Sequence, residues 1–465
     1  MFGFSASSCK LKNDTEDFWP SEVYNSSYMV RKSKKILFVL NFQEYFRNYI
    51  DSQALSKISK NCAFLVSNKI FDLQIKKLGE NKTIRYEYSK EKSKLHWHLF
   101  NINTKKFTNK SKTFEFRFAR LNRQMQRIYT FAALPVIYNL TKAIILWRTN
   151  DQKLRIIIKR LKPDIILLPS SGYEGENFEI IKIAKEEKIP TLMLVDNWDN
   201  LCSKTILTRK PDYMAVWGKQ TKEHAIRIHG MNQNNVFVLG TPRFIQYFKP
   251  NKNKLKSPYP FDYALFAGNA LAFDELTTLR ELDKHIEKTK QKLTIIYRPH
   301  PWRHPRRCTD TFFEYDFKHI KLDDDAKKYY KRELGDNYSP PLAYYPKLLA
   351  NMEFMICPLS TMLIEGLLFY KPVYVLTYDD GIHYTNPKNA FFYYEHFKDI
   401  EKLPNLTIID NFKNLDQIVR LKSTKTRASE NIKNLDYYIS QDTANYPYRL
   451  AELVNLITEK GNNEA

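Results

Sequence analysis

PDIILLPSS at residues 163–171, NFEIIKIAKEEKI at 177–189, TLMLVDNWDN at 191–200, DYMAVWG at 212–218, KQTKEHAIRIHG at 219–230 and NVFVLGTPR at 235–243 decide the fold. Four of these are almost unbroken apolar runs of strand length, and each runs out into a polar loop. The other two carry apolar residues at helical spacing, and the second is closed by Gly230. Strands this apolar, alternating with helices, predict a parallel sheet buried on both faces.

The same alternation extends in both directions. Upstream, KKILFVLNF (34–42) and CAFLVS (62–67) predict two more strands. Residues 119–160 read as one or two helices, with Pro135 as the break. Within them 131–147 is apolar but interrupted by Asn139 and Lys142. It falls short of the ~20 residues of a membrane span and reads as a buried helix. Downstream, FKPNKNKLKSPYP (248–260) is rich in Lys, Asn and Pro and reads as a linker. Then the pattern restarts with strands DYALFAG (262–268), KLTIIYRPHP (292–301), HIKLD (319–323), FMICPLS (354–360) and KPVYVLTYDDG (371–381), and helices at 273–291 and 360–369. Helical stretches at 415–421 and 448–460 close the chain. The expected organisation is a loose tail (1–33), a Rossmann-like domain (34–247), the linker (248–260), a second Rossmann-like domain (261–410) and terminal helices (411–465) packing back on the first. The fold class is α/β, two doubly wound domains facing across a cleft, the shape of a GT-B glycosyltransferase.

Length and composition agree with this. A chain of 465 residues suits two domains, and 43% hydrophobic with 27% charged residues is ordinary for a globular protein. Cys9, Cys62, Cys202, Cys308 and Cys357 are odd in number and widely spaced. They indicate neither a disulfide framework nor a metal site, as suits a reducing cytoplasm. The start, MFGFSASSCKLKNDTEDFWP, lacks the pattern of a signal peptide. The net charge of +23 is matched by abundant Lys, Asn, Ile, Tyr and Phe and only 12 Gly, a bias also expected from AT-rich codons. The excess is uneven: residues 82–127 hold 13 basic and three acidic side chains, interleaved with Phe107, Phe114, Phe116 and Phe118. That stretch suits the anionic inner face of the cytoplasmic membrane. A polyanion-binding protein is the alternative of another class, with affinity falling steeply in salt. No nucleic-acid-binding motif accompanies the charge, so nucleic acid is not an expected partner.

In doubly wound sheets ligands sit outside the carboxyl ends of the strands, so the loops there carry the candidate chemistry. Neither G-x-G-x-x-G nor G-x-x-x-x-G-K-[ST] occurs, which disfavours dinucleotide enzymes and P-loop NTPases. YRPHPWR (297–303) follows a strand of the second half, and its two prolines stiffen the loop. Arg298 and Arg303 offer guanidinium forks for phosphate, and His300 a further donor. In CPLSTMLIEGLLF (357–369), Ser360 and Thr361 stand where a helix N-cap belongs. Glu365 lies one turn further on, towards ribose hydroxyls. Gly268 and Asn269 follow the strand at 262–268 and complete the donor-binding candidates.

RPHP followed by this strand–Ser–Thr–helix–Glu unit resembles the nucleotide-binding domain of bacterial surface-polysaccharide transferases: teichoic-acid CDP-glycerol polymerases, capsule Kdo transferases and bacterial sialyltransferases. In the Kdo and sialic acid enzymes a His-Pro element contacts a cytidine monophosphate donor. The resemblance covers roughly residues 162–381, where GTPR (240–243) and DNWDNL (196–201) also look like elements of this group. It implies Arg298, His300, Ser360, Thr361 and Glu365 as donor residues, and a CMP- or CDP-linked sugar as donor. The glycan or lipid-linked acceptor would belong to a capsule, an O-antigen or another surface polysaccharide. The glycerol polymerases' first-domain His-Gly element has no counterpart here, against glycerol phosphate transfer. A UDP-sugar 2-epimerase shares the fold and is the alternative enzyme.

Candidate bases are Glu174 and Glu176 in SSGYEGEN and Asp196 and Asp199 in VDNWDN, with Asp199 and Glu174 preferred. Asp379 and Asp380 fit either donor hydroxyls or an Asp-Gly turn. Asp323, Asp324 and Asp325 read as a solvated turn, and His96 and His98 as structural residues of a strand. No metal or other cofactor is expected, because a guanidinium and a helix N-terminus can carry the donor's phosphate charge.

Overall fold

The computed structural model describes residues 34–68, 70, 72–79, 82–249, 254–300, 312–330, 340–420 and 435–463. The tail expected at 1–33 lies outside them. The apolar runs form β1 (Ile36–Leu40), β2 (Cys62–Ser67), β3 (Thr83–Tyr86), β4 (Ile165–Ser170), β5 (Thr191–Val195), β6 (Tyr213–Val216) and β7 (Val236–Val238). They pair in the order β3-β2-β1-β4-β5-β6-β7, all parallel. A second parallel sheet contains β8 (Ala264–Ala267), β9 (Ile295–Arg298), β10 (Ile320–Leu322), β11 (Met355–Pro358), β12 (Val373–Leu376) and β13 (Leu406–Ile409). Its order is β10-β9-β8-β11-β12-β13. Strand order reverses beside β1 in one sheet and beside β8 in the other, and at such points the carboxyl-end loops splay into a crevice.

Two strands escape the sequence pattern. β3 and β13 are four residues each, only partly buried, and carry Arg85 and Thr407. Their apolar signal is too short to read. The basic stretch is helical instead of containing a strand at His96–His98: helix Lys90–Phe107 buries His96, Leu99, Phe100 and Asn103, an i, i+3, i+4, i+7 stripe. The region from 119 to 160 makes three helices, Arg123–Ala132, Pro135–Arg148 and Gln152–Leu161. Pro135 sits in the first turn of the second, where its missing amide costs nothing. The expectation of a buried helix at 131–147 is wrong: Phe131 is 63% exposed, Val136 81% and Trp147 77%. The Asp323 turn is equally unlike a solvated one, for Asp323 has no exposed surface.

The two sheets share one apolar cluster. Trp198, Trp217, Phe244 and Tyr247 from the first half pack with Tyr263, Leu359, Leu363 and Leu367 from the second. The chain then returns across the seam. Tyr437 O accepts from Gln220 N at 2.8 Å and Trp217 O from Ser440 N at 2.8 Å. Gly218 admits this crossing, since a Cβ there would lie 2.4 Å from the Tyr438 carbonyl carbon. Helix Tyr446–Asn463 follows and buries Tyr446, Leu450, Leu453, Val454 and Ile457 against Phe38, Leu40 and Leu167.

Burial also leaves several histidines uncharged. It pushes His224 down to about 3 and His96, His229 and His396 down to about 4. These values lie below the unfolded value of about 6.5, so the unfolded chain binds protons that the folded one refuses. Their contribution to stability is full above about pH 6.5 and is lost as pH falls towards 4, at up to about 1.4 kcal/mol per pH unit for each residue. Urea titrations at pH 7.5, 6 and 5 should give falling midpoints, and His224→Gln should flatten the trend. A midpoint constant over that range contradicts the burial of neutral imidazoles.

Candidate functional site

The loop after β4 is organised by Glu174. Its Oε1 accepts from the Tyr45 hydroxyl, from Ser171 N at 2.9 Å and from Ser171 Oγ at 2.7 Å. Its Oε2 accepts from Ser170 Oγ at 2.9 Å and Gly172 N at 3.0 Å. A carboxylate only 2% exposed and holding five donors anchors a loop; it has no lone pair facing a substrate hydroxyl. Glu176 lies in the first turn of helix Gly175–Glu186, where its charge reaches Tyr86 and Tyr88.

The loop after β5 carries two carboxylates in opposite electrostatic settings. Asp199 bonds Lys204 Nζ at 2.9 Å and Ser203 Oγ at 3.0 Å. Burial raises its pKa, but Lys204, His396 and the Ser203 hydroxyl outweigh that and hold it at about 2. So acidic a group has little affinity for an acceptor proton. Asp196 is half-buried and receives Asn48 Nδ2 at 3.1 Å and Asn197 Nδ2 at 3.0 Å. Burial pushes its carboxyl above the ordinary range, against the pull of Arg243, and the charge of Glu174 adds to the rise. Asp196 is therefore the better proton acceptor of the pair.

From Asp196 a polar chain crosses to the second half. Asn197 Oδ1 accepts from Arg243 Nη1, and Arg243 Nη2 lies 3.8 Å from Glu365 Oε1. Glu365 Oε2 accepts from the Tyr247 hydroxyl at 2.6 Å. Burial pushes Glu365 up, with Arg243, Tyr247 and Arg47 opposing. Arg47, in the helical segment Phe46–Asp51 that follows β1, feels Arg243, Tyr345 and Asp196. Among the described residues its buried Nε has no hydrogen-bond partner, nor has Asn48 Oδ1. The charges of two guanidiniums thus reach one carboxylate of raised pKa at the seam, and the sequence motifs point to none of Arg47, Asn48 and Tyr345. Arg243 was visible in GTPR without a role.

Arg298 does not present a free fork. It is 6% exposed, with Nη1 on Asp323 Oδ1, Nη2 on Asp325 Oδ2 at 3.0 Å, and the Tyr345 hydroxyl 3.3 Å from Nη2. Asp323 also receives the hydroxyls of Tyr344 and, at 3.1 Å, Tyr259, and Ala326 N at 2.9 Å. The pairing closes the carboxyl ends of β9 and β10 from inside. His300 is half-buried two residues beyond, and Arg303 lies outside the described residues. Ser360 and Thr361 are half-buried ahead of helix Met362–Leu367. Ser360 Oγ accepts from Met362 N at 3.3 Å, and Thr361, at the cap position, makes no side-chain cap bond. Gly268 and Asn269 are tied to the buried Glu275: Asn269 N donates to Glu275 Oε1 at 3.0 Å, and a Cβ on Gly268 would lie 2.5 Å from Oε2. Asp380 binds His383 Nδ1 at 2.6 Å and its amide at 2.9 Å, and Asp379 accepts from Gly381 N at 2.9 Å, so this pair builds a turn. Among the described residues no group of three or more His, Cys, Asp or Glu is arranged to hold a metal ion.

Comparison by sequence finds no matching family model and no matching curated protein. Comparison by structure does. A UDP-GlcNAc 2-epimerase from Methanocaldococcus jannaschii superposes with a TM-score of 0.51 at 13% identity, over 90% of this chain and 99% of that one. The chain has the GT-B fold. A second UDP-N-acetylglucosamine 2-epimerase matches with a TM-score of 0.50 at 12% identity, over 93% and 98% of the two chains. The glycotransferase of kitacinnamycin matches with a TM-score of 0.50 at 10% identity, over 91% and 99%. The seam between the sheets, with Asp196, Arg243, Arg47 and Glu365 along it, is thus set in a fold shared by epimerases and a glycosyltransferase.

The Arg298–Asp323 pairing makes a firm expectation about stability. Asp323→Ala leaves a buried guanidinium without its main partner, and such a break costs about 3–5 kcal/mol. Urea unfolding should show a loss of that order. A loss near zero would mean that Arg298 turns to solvent or a ligand instead.

Proposed function

We propose that this chain is a glycosyltransferase, moving a sugar from a nucleotide-activated donor to a hydroxyl of a glycan or lipid-linked acceptor, with Asp196 as the base. The reading rests on one observation: the half-buried Asp196 carboxylate, held by Asn48 and Asn197, is linked through Asn197 to Arg243 at the inter-sheet seam, and burial pushes its pKa up against the charges of Arg243 and Arg47. An inverting transfer needs a base to take the acceptor proton while cationic donors hold the leaving phosphate. Asp196 supplies the first and the two guanidiniums the second. Asp199 and Glu174 keep the loops in place. On the second half's side we assign His300, Ser360 and Thr361 to the donor, with Glu365 orienting Arg243. Arg298 supports the RPHP loop from beneath through Asp323 and Asp325.

The CMP- or CDP-linked donor is what the RPHP resemblance implies. A uridine donor is what the epimerase neighbours favour, and with it a second reading, epimerisation of a UDP-linked sugar. Thermal stabilisation by CMP, CDP, UDP and GDP separates the donors, since a bound nucleotide at a hundredfold excess over its Kd adds about 2.7 kcal/mol. Formation of an epimerised sugar without any acceptor moves the assignment to epimerase. If none of the four nucleotides stabilises the protein, both readings fail.

Asp196→Asn should lower turnover about a hundredfold or more and leave nucleotide affinity nearly unchanged. Asp199→Asn should cost much less turnover. Because burial raises the Asp196 carboxyl, the acid limb of the kcat/KM profile should lie above the ordinary aspartate range, and Asp196→Asn should abolish that limb. An Asp199→Asn variant slower than Asp196→Asn would reverse the assignment.

A further inference from the structure

The helices Arg123–Ala132 and Pro135–Arg148 form a hairpin with a committed inner face and an uncovered outer one. Inside, the Tyr129 hydroxyl meets His98 Nδ1 at 3.0 Å and the Tyr138 hydroxyl donates to Asn103 Oδ1 at 2.8 Å. Ile102, Phe118 and Met125 close the contact with helix Lys90–Phe107. Outside lie Ile128, Phe131, Leu134, Val136, Leu140, Ile144 and Trp147, each between 48% and 81% exposed. Residues 136, 140, 144 and 147 follow i, i+4, i+8, i+11 and make one stripe. Exposed apolar surface of this extent marks a docking face.

The charge around the stripe selects the occupant. Residues 116–150 contain Arg117, Arg120, Arg123, Arg127, Lys142 and Arg148 and not one Asp or Glu. Arg123, Arg127 and Arg148 are exposed. Arg123 and Arg127 line a shallow depression together with Phe131 and Leu134. A second copy of the chain would set two such faces of like charge against each other, with no carboxylate in either to pair. An anionic bilayer meets both requirements, with acyl chains for the stripe and headgroup phosphates for the guanidiniums. Trp147 suits the boundary between the two. No single helix among the described residues is long and apolar enough to cross a membrane, and the two helices reach that length and apolarity only together, across a 93° bend. That geometry suits lying on a bilayer surface.

We infer that the hairpin docks the protein flat on an anionic membrane, with Phe131, Val136, Leu140, Ile144 and Trp147 entering the headgroup–acyl boundary. The docking stands whichever sugar chemistry the crevice carries.

Flotation of the full chain with vesicles of phosphatidylcholine alone, or mixed with phosphatidylglycerol, tests this. The protein should float with the mixed vesicles, much less with pure phosphatidylcholine, and less with rising salt. Arg123→Ala with Arg127→Ala should lower partition about thirtyfold, at about fivefold per basic residue. Val136→Glu with Leu140→Glu should lower it about tenfold or more. All four side chains are turned away from the core, so both variants should unfold in urea like the parent. Failure of the parent to float with phosphatidylglycerol vesicles, or undiminished flotation of both variants, overturns the inference. So does a dimer in light scattering that the Val136/Leu140 variant splits, which would give the stripe to a second copy.

Discussion

Trp198 and Trp217 leave the carboxyl ends of β5 and β6, Phe244 and Tyr247 follow β7, and all four pack with Leu359, Leu363 and Leu367 beyond β11. This seam of large side chains fixes where everything polar in the crevice can stand. Arg243 is held over the Trp217 and Phe244 rings at 5.8 and 5.6 Å from their centres, which aims its guanidinium at Asn197 and Glu365. Tyr247 belongs to the apolar cluster by its ring and to the polar chain by its hydroxyl. Aromatic packing therefore sets the electrostatics, since a shift of the seam would separate Arg243 from both of its partners.

The loop after β5 shows how little distance separates a structural carboxylate from a reactive one. Asp196 and Asp199 are three residues apart, and burial lifts both. The difference is who answers. A lysine in direct contact overwhelms the burial of Asp199, while Asp196 has only amide donors in contact and its arginines at longer range. The same logic places Glu174 among the supports, for five donors occupy its two oxygens.

Much of this was legible in residue order, and the remainder was hidden for identifiable reasons. Strands buried on both faces announce themselves as apolar runs, so eleven of the thirteen strands among the described residues and the two-sheet plan follow from pattern. β3 and β13 lack that signal because they are short and half-wet. The loops bearing the chemistry were found, since they follow strands, but the roles within them depend on neighbours. Lys204 was close enough in sequence to Asp199 to have warned against it as a base. Asp323 gave no such warning, because Tyr259 and Tyr344, which bury it, come from distant segments. The outward hairpin was unreadable for a similar reason: its apolar stripe looks like a core stripe until helix Lys90–Phe107 is seen filling the other side.

The return of the chain across the seam has a consequence for the order of assembly. Helix Tyr446–Asn463 closes the core beneath β1 and β4, which are made early, yet it emerges from the ribosome after the whole second sheet. The first sheet must wait, with Phe38, Leu40 and Leu167 incompletely covered, while some two hundred residues are added after β7. The second sheet, whose strands are consecutive from β8 to β13, has no comparable debt to the chain's end. Synthesis therefore favours an inverted order, in which the half begun first is finished last and an apolar surface stays open to chaperones until the terminal helix arrives.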